Sequence, residues 1–169
     1  MKSVNMKYIS FTKVALPYGW LGNMSPHPVT YNGEVWRTTE ALFQALRFND
    51  PSIQKEIRDE KSPMGAKLKA KGIMNRLKDS GDSSKISVIP LSSEDLKNME
   101  LCIELKIAQH PDLLKELLKT ADLPIYEDVA SRGKRGSNLF WGALIEDEVW
   151  IGQSHLGKIW EKARSNYSK

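Results

Sequence analysis

Apolar and polar positions along the chain follow two periods, and the changes between them mark out the elements. Ile9-Ser10-Phe11 alternates and predicts a short strand, followed by an aromatic turn-rich loop over 17–23. Val29-Thr30-Tyr31 and Glu34-Val35-Trp36 flank Asn32-Gly33, a pair that supplies the positive φ angles of a tight turn, so a β-hairpin is expected. The pattern then lengthens to a helical one. A helix is predicted over about 39–48, with the Thr38 hydroxyl as its N-terminal cap. Two short helices are predicted over 51–59 and 63–71, each with a proline near its first turn. The segment 78–84 reads as a surface insertion rather than a domain boundary. The longest helix should run from about Ser92 to Gln109. On it Leu96, Met99, Ile103 and Ile107 share one face, and Leu101, Leu105 and Ala108 form a second stripe, which predicts a central place in the core. A shorter helix over 111–119, a strand at 124–126 and a last helix over 154–165 complete the chain. No internal repeat is present. The expected class is α+β: one mainly helical domain over residues 1–169, with a few short strands.

Composition narrows the function classes. The 169 residues are 40% hydrophobic and 27% charged, an ordinary globular balance with enough chain for a sizeable core. Apolar runs fall well short of the roughly 18 residues a membrane span needs. Residues 1–10 lack the apolar stretch of a signal peptide, so a cytoplasmic location and no membrane partner are expected. The single cysteine, Cys102, excludes an intrachain disulfide. It and three scattered histidines lack zinc-ligand spacing, so no metal or other cofactor is expected. The net charge of +4 suits a phosphate-bearing ligand without requiring one.

Four segments could carry chemistry. In the first predicted helix, Glu40, Gln44 and Arg47 fall on one narrow face, either lining a cleft or forming the solvated side of an amphipathic helix. Lys106 lies on the apolar stripe with Met99, Cys102 and Ile103. It is a desolvated amine able to pair with a carboxylate or attack a carbonyl, or a snorkelling lysine at the core edge. Glu127 ends a strand and is followed by a loop in which Arg132, Lys134 and Arg135 alternate with Gly133 and Gly136. That composition can wrap a phosphate, or be a plain solvated loop. Beyond it, Asn138 to Gly142 includes Trp141, a wall for stacking a base or a core tryptophan. Finally, Gly152 to Lys158 approaches a P-loop pattern. Ile159 replaces the Mg²⁺-binding hydroxyl and no later strand follows, leaving a glycine-lined turn at a helix N-terminus.

Taken in order, these segments resemble the NADAR family, also called YbiA-like, from about Phe11 to Arg164. Trp36, Thr38 and Glu40 followed by Phe43-Gln44-Ala45 and Arg47-Phe48 are similar to its first motif. Ser62-Pro63-Met64, Met99, Lys106, Leu117 to Thr120, Glu127, Trp141-Gly142, Gly152 and Leu156-Gly157-Lys158 match later ones. Arg47, Asn138 and Ser154 stand where the family more often has Lys, Asp and Asn, and an upstream Asp-Trp or Asn-Trp pair is missing near 78–84.

The resemblance implies a mainly helical α+β fold and hydrolysis of N-glycosidic bonds to ribose. The substrates it implies are a phosphoribosylamino-pyrimidine of riboflavin synthesis or ADP-ribose on guanine in nucleic acid. Glu40 and Glu127 become the catalytic carboxylates. Lys106 becomes their partner or an imine-forming amine. Gln44, Arg47, Arg132, Arg135, Asn138, Trp141, Gly142, Gly152 and Ser154 become substrate contacts. The alternative is a non-catalytic binder of ADP-ribose or a related nucleotide, because a shared fold does not guarantee retained chemistry.

Overall fold

The computed structural model describes residues 7–169. Its elements run β1 (Ile9–Phe11), β2 (Val29–Tyr31), β3 (Glu34–Trp36), α1 (Thr39–Ala45), α2 (Pro51–Arg58), α3 (Pro63–Asp79), α4 (Ser93–Gln109), α5 (Pro111–Lys119), β4 (Ile125–Glu127), α6 (Asn138–Trp141), β5 (Leu144–Glu146), β6 (Val149–Ile151) and α7 (His155–Tyr167). The class is α+β, as the sequence pattern predicts. No helix among the described residues is long and apolar enough to cross a membrane. Contacts group the described residues into two compact units: Asn23–Gln109, and residues 7–22 together with His110–Lys169.

In the Asn23–Gln109 unit, α1 packs against α2, α3 and α4, and every one of its residues is buried. Thr38 caps it as expected, its Oγ1 accepting from the Ala41 amide at 3.2 Å. The helix ends at Ala45, short of the predicted Phe48. Pro51 disfavours a helical Asp50, whose carboxylate instead caps α2 by accepting from Ser52 N at 2.8 Å. The predicted turn of the β2–β3 hairpin is present, with Asn32 at φ 50° and Gly33 at φ 80°. The Gln109 side chain pins the hairpin to the end of α4, accepting from Thr30 N at 2.7 Å and donating to Thr30 O at 2.9 Å.

Two expectations about helices are corrected here. α3 does not stop at Lys71 but reaches Asp79. Gly72 costs about 1 kcal/mol inside a helix, and the burial of Ile73, Met74 and Leu77 beyond it outweighs that. α4 is buried on one face only. Met99, Cys102, Ile103 and Ile107 are enclosed, whereas Leu101 and Leu105 are half-buried and Ala108 is exposed.

In the other unit, β1 runs parallel to β4 with Ile9 opposite Ile125 and Phe11 opposite Glu127. α7 lies on β4 so closely that a Cβ on Gly157 would stand 1.8 Å from the Ile125 carbonyl oxygen. Trp160 is fully buried and donates from Nε1 to Leu21 O at 2.9 Å. Arg164 closes the C-terminal side by donating to Thr120 Oγ1 and Leu123 O. The hairpin β5–β6 and the short α6 fall where the sequence pattern predicts no element. The β5–β6 turn is made by Asp147 and Glu148 at φ 49° and 65°, so it lacks the glycine or asparagine that signals such a turn.

Candidate active site

The first candidate group is built from α1 outward. The orphan amide of Glu40 at the start of the helix donates to Asn23 O at 3.0 Å, and the Asn23 side chain holds Thr39 Oγ1 at 2.9 Å and the Met99 sulfur at 3.0 Å. The entry of α1 is therefore clamped, and Glu40 is 8% exposed rather than on a solvated face. One turn on, Gln44 Nε2 donates to Glu40 Oε1 at 2.9 Å. Arg47 Nη1 donates to Gln44 Oε1 at 3.3 Å. A guanidinium can only donate, so the amide must turn its oxygen to Arg47 and its nitrogen to Glu40. Arg47 in turn grips Asp95 of α4 with two bonds, Nε to Oδ1 at 3.0 Å and Nη2 to Oδ2 at 2.8 Å. Asp95 is fully buried and also accepts from Leu91 N at 2.8 Å.

Glu40, Gln44, Arg47 and Asp95 thus form one hydrogen-bonded chain. The cation is matched to Asp95. Glu40 itself forms no ion pair among the described residues, its side-chain partner being a neutral amide.

Lys106 projects from α4 and is completely buried, so the snorkelling alternative does not hold. Its Nζ donates to Ser25 Oγ at 2.7 Å, and Ser25 Oγ lies 2.9 Å from His27 Nδ1. Burial pulls the ammonium down to about 7, with the neighbouring Cys102 opposing that shift. Glu40, Lys106 and Asp95 all act electrostatically on Cys102, which lies among them. Burial and the two carboxylates push its thiol up, so it is not a nucleophile.

The second candidate group stands in the other unit. Glu127 at the end of β4 is half-buried, with Arg132 Nη2 3.5 Å from its Oε2. Asn138 donates from Nδ2 to Arg132 O at 3.3 Å and to Gly133 O at 3.0 Å, closing the basic loop on itself. Gly133 and Gly136 have positive φ, the bends that the loop composition anticipates. Lys134 is ion-paired with Glu146, while Arg135 is exposed. Trp141 is half-buried and edge-on to Phe140 at 4.8 Å. A Cβ on Gly142 would meet Glu127 O at 2.6 Å, and one on Gly152 would meet Gly142 O at 2.5 Å, so both glycines allow close backbone approach. Ser154 opens α7 in a left-handed conformation at φ 52°, with a buried Oγ that has no hydrogen-bond partner among the described residues.

Sequence reasoning missed Asn23, Ser25, His27 and Asp95. None lies in a periodic pattern with the residues it serves; each meets them only through folding. Asp95 carried the one available signal, an acidic residue on the helix face shared with Met99 and Lys106. Among the described residues, no group of three or more His, Cys, Asp or Glu is placed to hold a metal ion.

Comparison with known proteins agrees with this architecture. The solution structure of the Escherichia coli protein YbiA superposes with a TM-score of 0.68 at 25% identity, over 96% of this chain and 87% of that one. The curated N-glycosidase YbiA of Escherichia coli is 28% identical over 134 residues, 79% of this chain and 74% of that protein. An N-glycosidase from Nostoc punctiforme is 28% identical over 153 residues, 89% of this chain and 86% of that protein. The profile of the NADAR domain matches residues 10–167, a span that contains every candidate side chain described above. On that match over nearly its whole length, the chain belongs to the NADAR domain family.

Proposed function

We propose that the protein is an N-glycosidase that hydrolyses an N-ribosyl bond in a phosphate-bearing, nucleotide-type substrate in the cytoplasm. The observation that carries this reading is Glu40: a buried carboxylate, held in place by Gln44, with no ion pair among the described residues. Cleaving an N-ribosyl bond builds positive charge on the anomeric carbon. A desolvated carboxylate without a counter-ion stabilises that charge far better than a solvated or ion-paired one. Gln44 and the Arg47–Asp95 pair fix its orientation without neutralising it. The names of the relatives, both N-glycosidases, support the same reaction class.

In this reading Glu40 faces the anomeric carbon or takes a proton from the attacking water, whose oxygen bonds to that carbon as the base departs with a proton. Glu127 is the second carboxylate, in the role that paired carboxylates fill in glycoside hydrolysis. Lys106, held down to about 7, is divided near neutral pH between ammonium and amine. It serves as a proton donor to the leaving base or as the amine that condenses with an opened ribose. Trp141 stacks on the base. Asn138, Gly142, Gly152 and Ser154 are substrate contacts on the same unit as Glu127, and Arg47, Arg132 and Arg135 contribute positive charge. Substrates of the expected kind are a phosphoribosylamino-pyrimidine and ADP-ribosylated guanine in nucleic acid.

Incubation with each of these substrates and detection of the released base by mass spectrometry tests the activity. Glu40→Gln keeps the size and the Gln44 contact but loses the charge. It should retain the parent's melting temperature and lose roughly two to four orders of magnitude in rate. Turnover near the parent's would remove Glu40 from the mechanism. Tight ligand binding by the parent with no product would replace hydrolysis with a binding function.

A further inference from the structure

A cleft of about 190 Å³ opens beside the Glu40 network, within the Asn23–Gln109 unit, between the C-terminal end of α1 and one face of α3. Its floor is apolar: Phe48, Ala70 and Met74 are all buried. Lys67, Lys71 and Asn75 line its α3 side, each exposed and each four residues from the next, so they share one helix face. Gln44 and Arg47 line its α1 side.

The charges here are distributed unevenly. Arg47 is offset by Asp95, its side chain 14% exposed. Lys69, on another face of α3, is paired with Glu60 at 3.5 Å. Lys67 and Lys71 form no ion pair among the described residues. Two ammonium groups one turn apart repel each other unless an anion lies between them. The cleft therefore carries the positive charge of two uncompensated lysines, with an amide donor at Asn75 and the remaining N–H groups of Arg47 nearby. Its volume is below the roughly 300–1,000 Å³ of pockets that enclose drug-sized ligands. It suits one phosphoryl group rather than a whole dinucleotide.

We propose that this cleft binds the 5-phosphoryl group of the N-ribosyl substrate, with Lys67 and Lys71 as its principal ligands. The inference rests on the N-glycosidase reading for the identity of the sugar. Both expected substrates carry a phosphoryl group on the ribose 5-oxygen, so one cleft serves either. The placement fits the chemistry. Gln44 lines the cleft and also donates to Glu40, so a phosphate seated there is one side chain away from the carboxylate at the anomeric carbon.

Calorimetric titration of the full chain with ribose 5-phosphate and with ribose tests the assignment. The parent should bind ribose 5-phosphate about tenfold or more tighter than ribose, because charge-assisted contacts are the strong ones. The double variant K67A/K71A, at exposed helix positions where alanine is well tolerated, should lose that preference. K69A, whose lysine is already paired, should keep it. A parallel ADP-ribose titration separates the two phosphate sources. A loss confined to ribose 5-phosphate assigns the cleft to monoesters, and a loss for both ligands assigns it to the diphosphate as well. The proposal is overturned if K67A/K71A binds ribose 5-phosphate as the parent does, or if the parent does not distinguish it from ribose. Phosphate binding that depends on the two lysines, in a parent that hydrolyses neither substrate, would keep the cleft and discard the glycosidase reading. Hydrolysis with an unchanged KM in K67A/K71A would do the reverse.

Discussion

Lys106 shows what burial does to a single residue. An unfolded lysine titrates near 10.4, whereas burial holds Lys106 at about 7. Between these values the unfolded chain carries a proton that the folded chain lacks, so stability rises with pH across that window. Below about 7 both states are protonated and the burial penalty is fully present; above about 10.4 both are neutral and it is gone. The slope contributed by one such group reaches at most about 1.4 kcal/mol per pH unit. Urea unfolding at several values from pH 7 to 9 should therefore show the parent gaining stability. Lys106→Met, of similar volume and without charge, should be flatter over the same range. Equal slopes would place the Lys106 titration elsewhere. Sequence reading reached Lys106 because a cation on an apolar stripe is conspicuous. Asp95 sits on the same helix face, but its importance depends on Arg47, 48 residues away, and is visible only in the fold.

Among the elements, α3 and α7 give opposite answers to the same substitution. Gly72 lies in the middle of α3, exposed, with no atom within 4 Å of where a Cβ would stand. Gly72→Ala should stabilise the protein by about 0.5–1 kcal/mol, through the unfolded chain's lost freedom and the better helix propensity of alanine. Gly157 lies in α7 where a Cβ would meet the Ile125 carbonyl carbon at 2.8 Å and its oxygen closer still. Gly157→Ala must push α7 off β4 and should lower the melting temperature by several degrees or more, overpacking costing about 1–3 kcal/mol. Thermal melts of the two variants decide this, and shifts in the same direction would contradict the packing of α7 on β4. Both glycines are single letters in helical patterns, so nothing local distinguishes them. The same difficulty explains why α3 was expected to end early.

On the scale of the whole molecule, the net charge of +4 is a poor guide to where an anion binds, because several of the candidate cations are already matched. Arg132 is beside Glu127, Lys134 beside Glu146 and Arg47 on Asp95. Replacing Arg132, Lys134 and Arg135 together by Ala should therefore weaken ADP-ribose binding less than K67A/K71A does. The parent's affinity should fall as salt rises, and this dependence should shrink more in the lysine pair than in the loop variant. Fluorescence titrations at low and moderate salt separate the two. A loop variant that loses more affinity than the lysine variant would return phosphate recognition to the segment 132–135.

The sequence by itself determined the helical framework, the Asn32-Gly33 hairpin, the Thr38 cap and the family. Each of these rests on contacts between near neighbours or on motifs whose order survives in the linear chain. It also brought Glu40, Gln44 and Arg47 together, since one helix face is a local fact. Tertiary structure alone decided that this face is buried rather than solvated, that Asp95 holds Arg47, and that Ser25 receives Lys106. Only the fold, likewise, left Lys67 and Lys71 without an ion pair among the described residues, over a cleft. The physical reason is common to all four: burial and charge pairing depend on which distant segment arrives at a side chain, and periodicity says which way a residue faces on its own helix but not what it meets there.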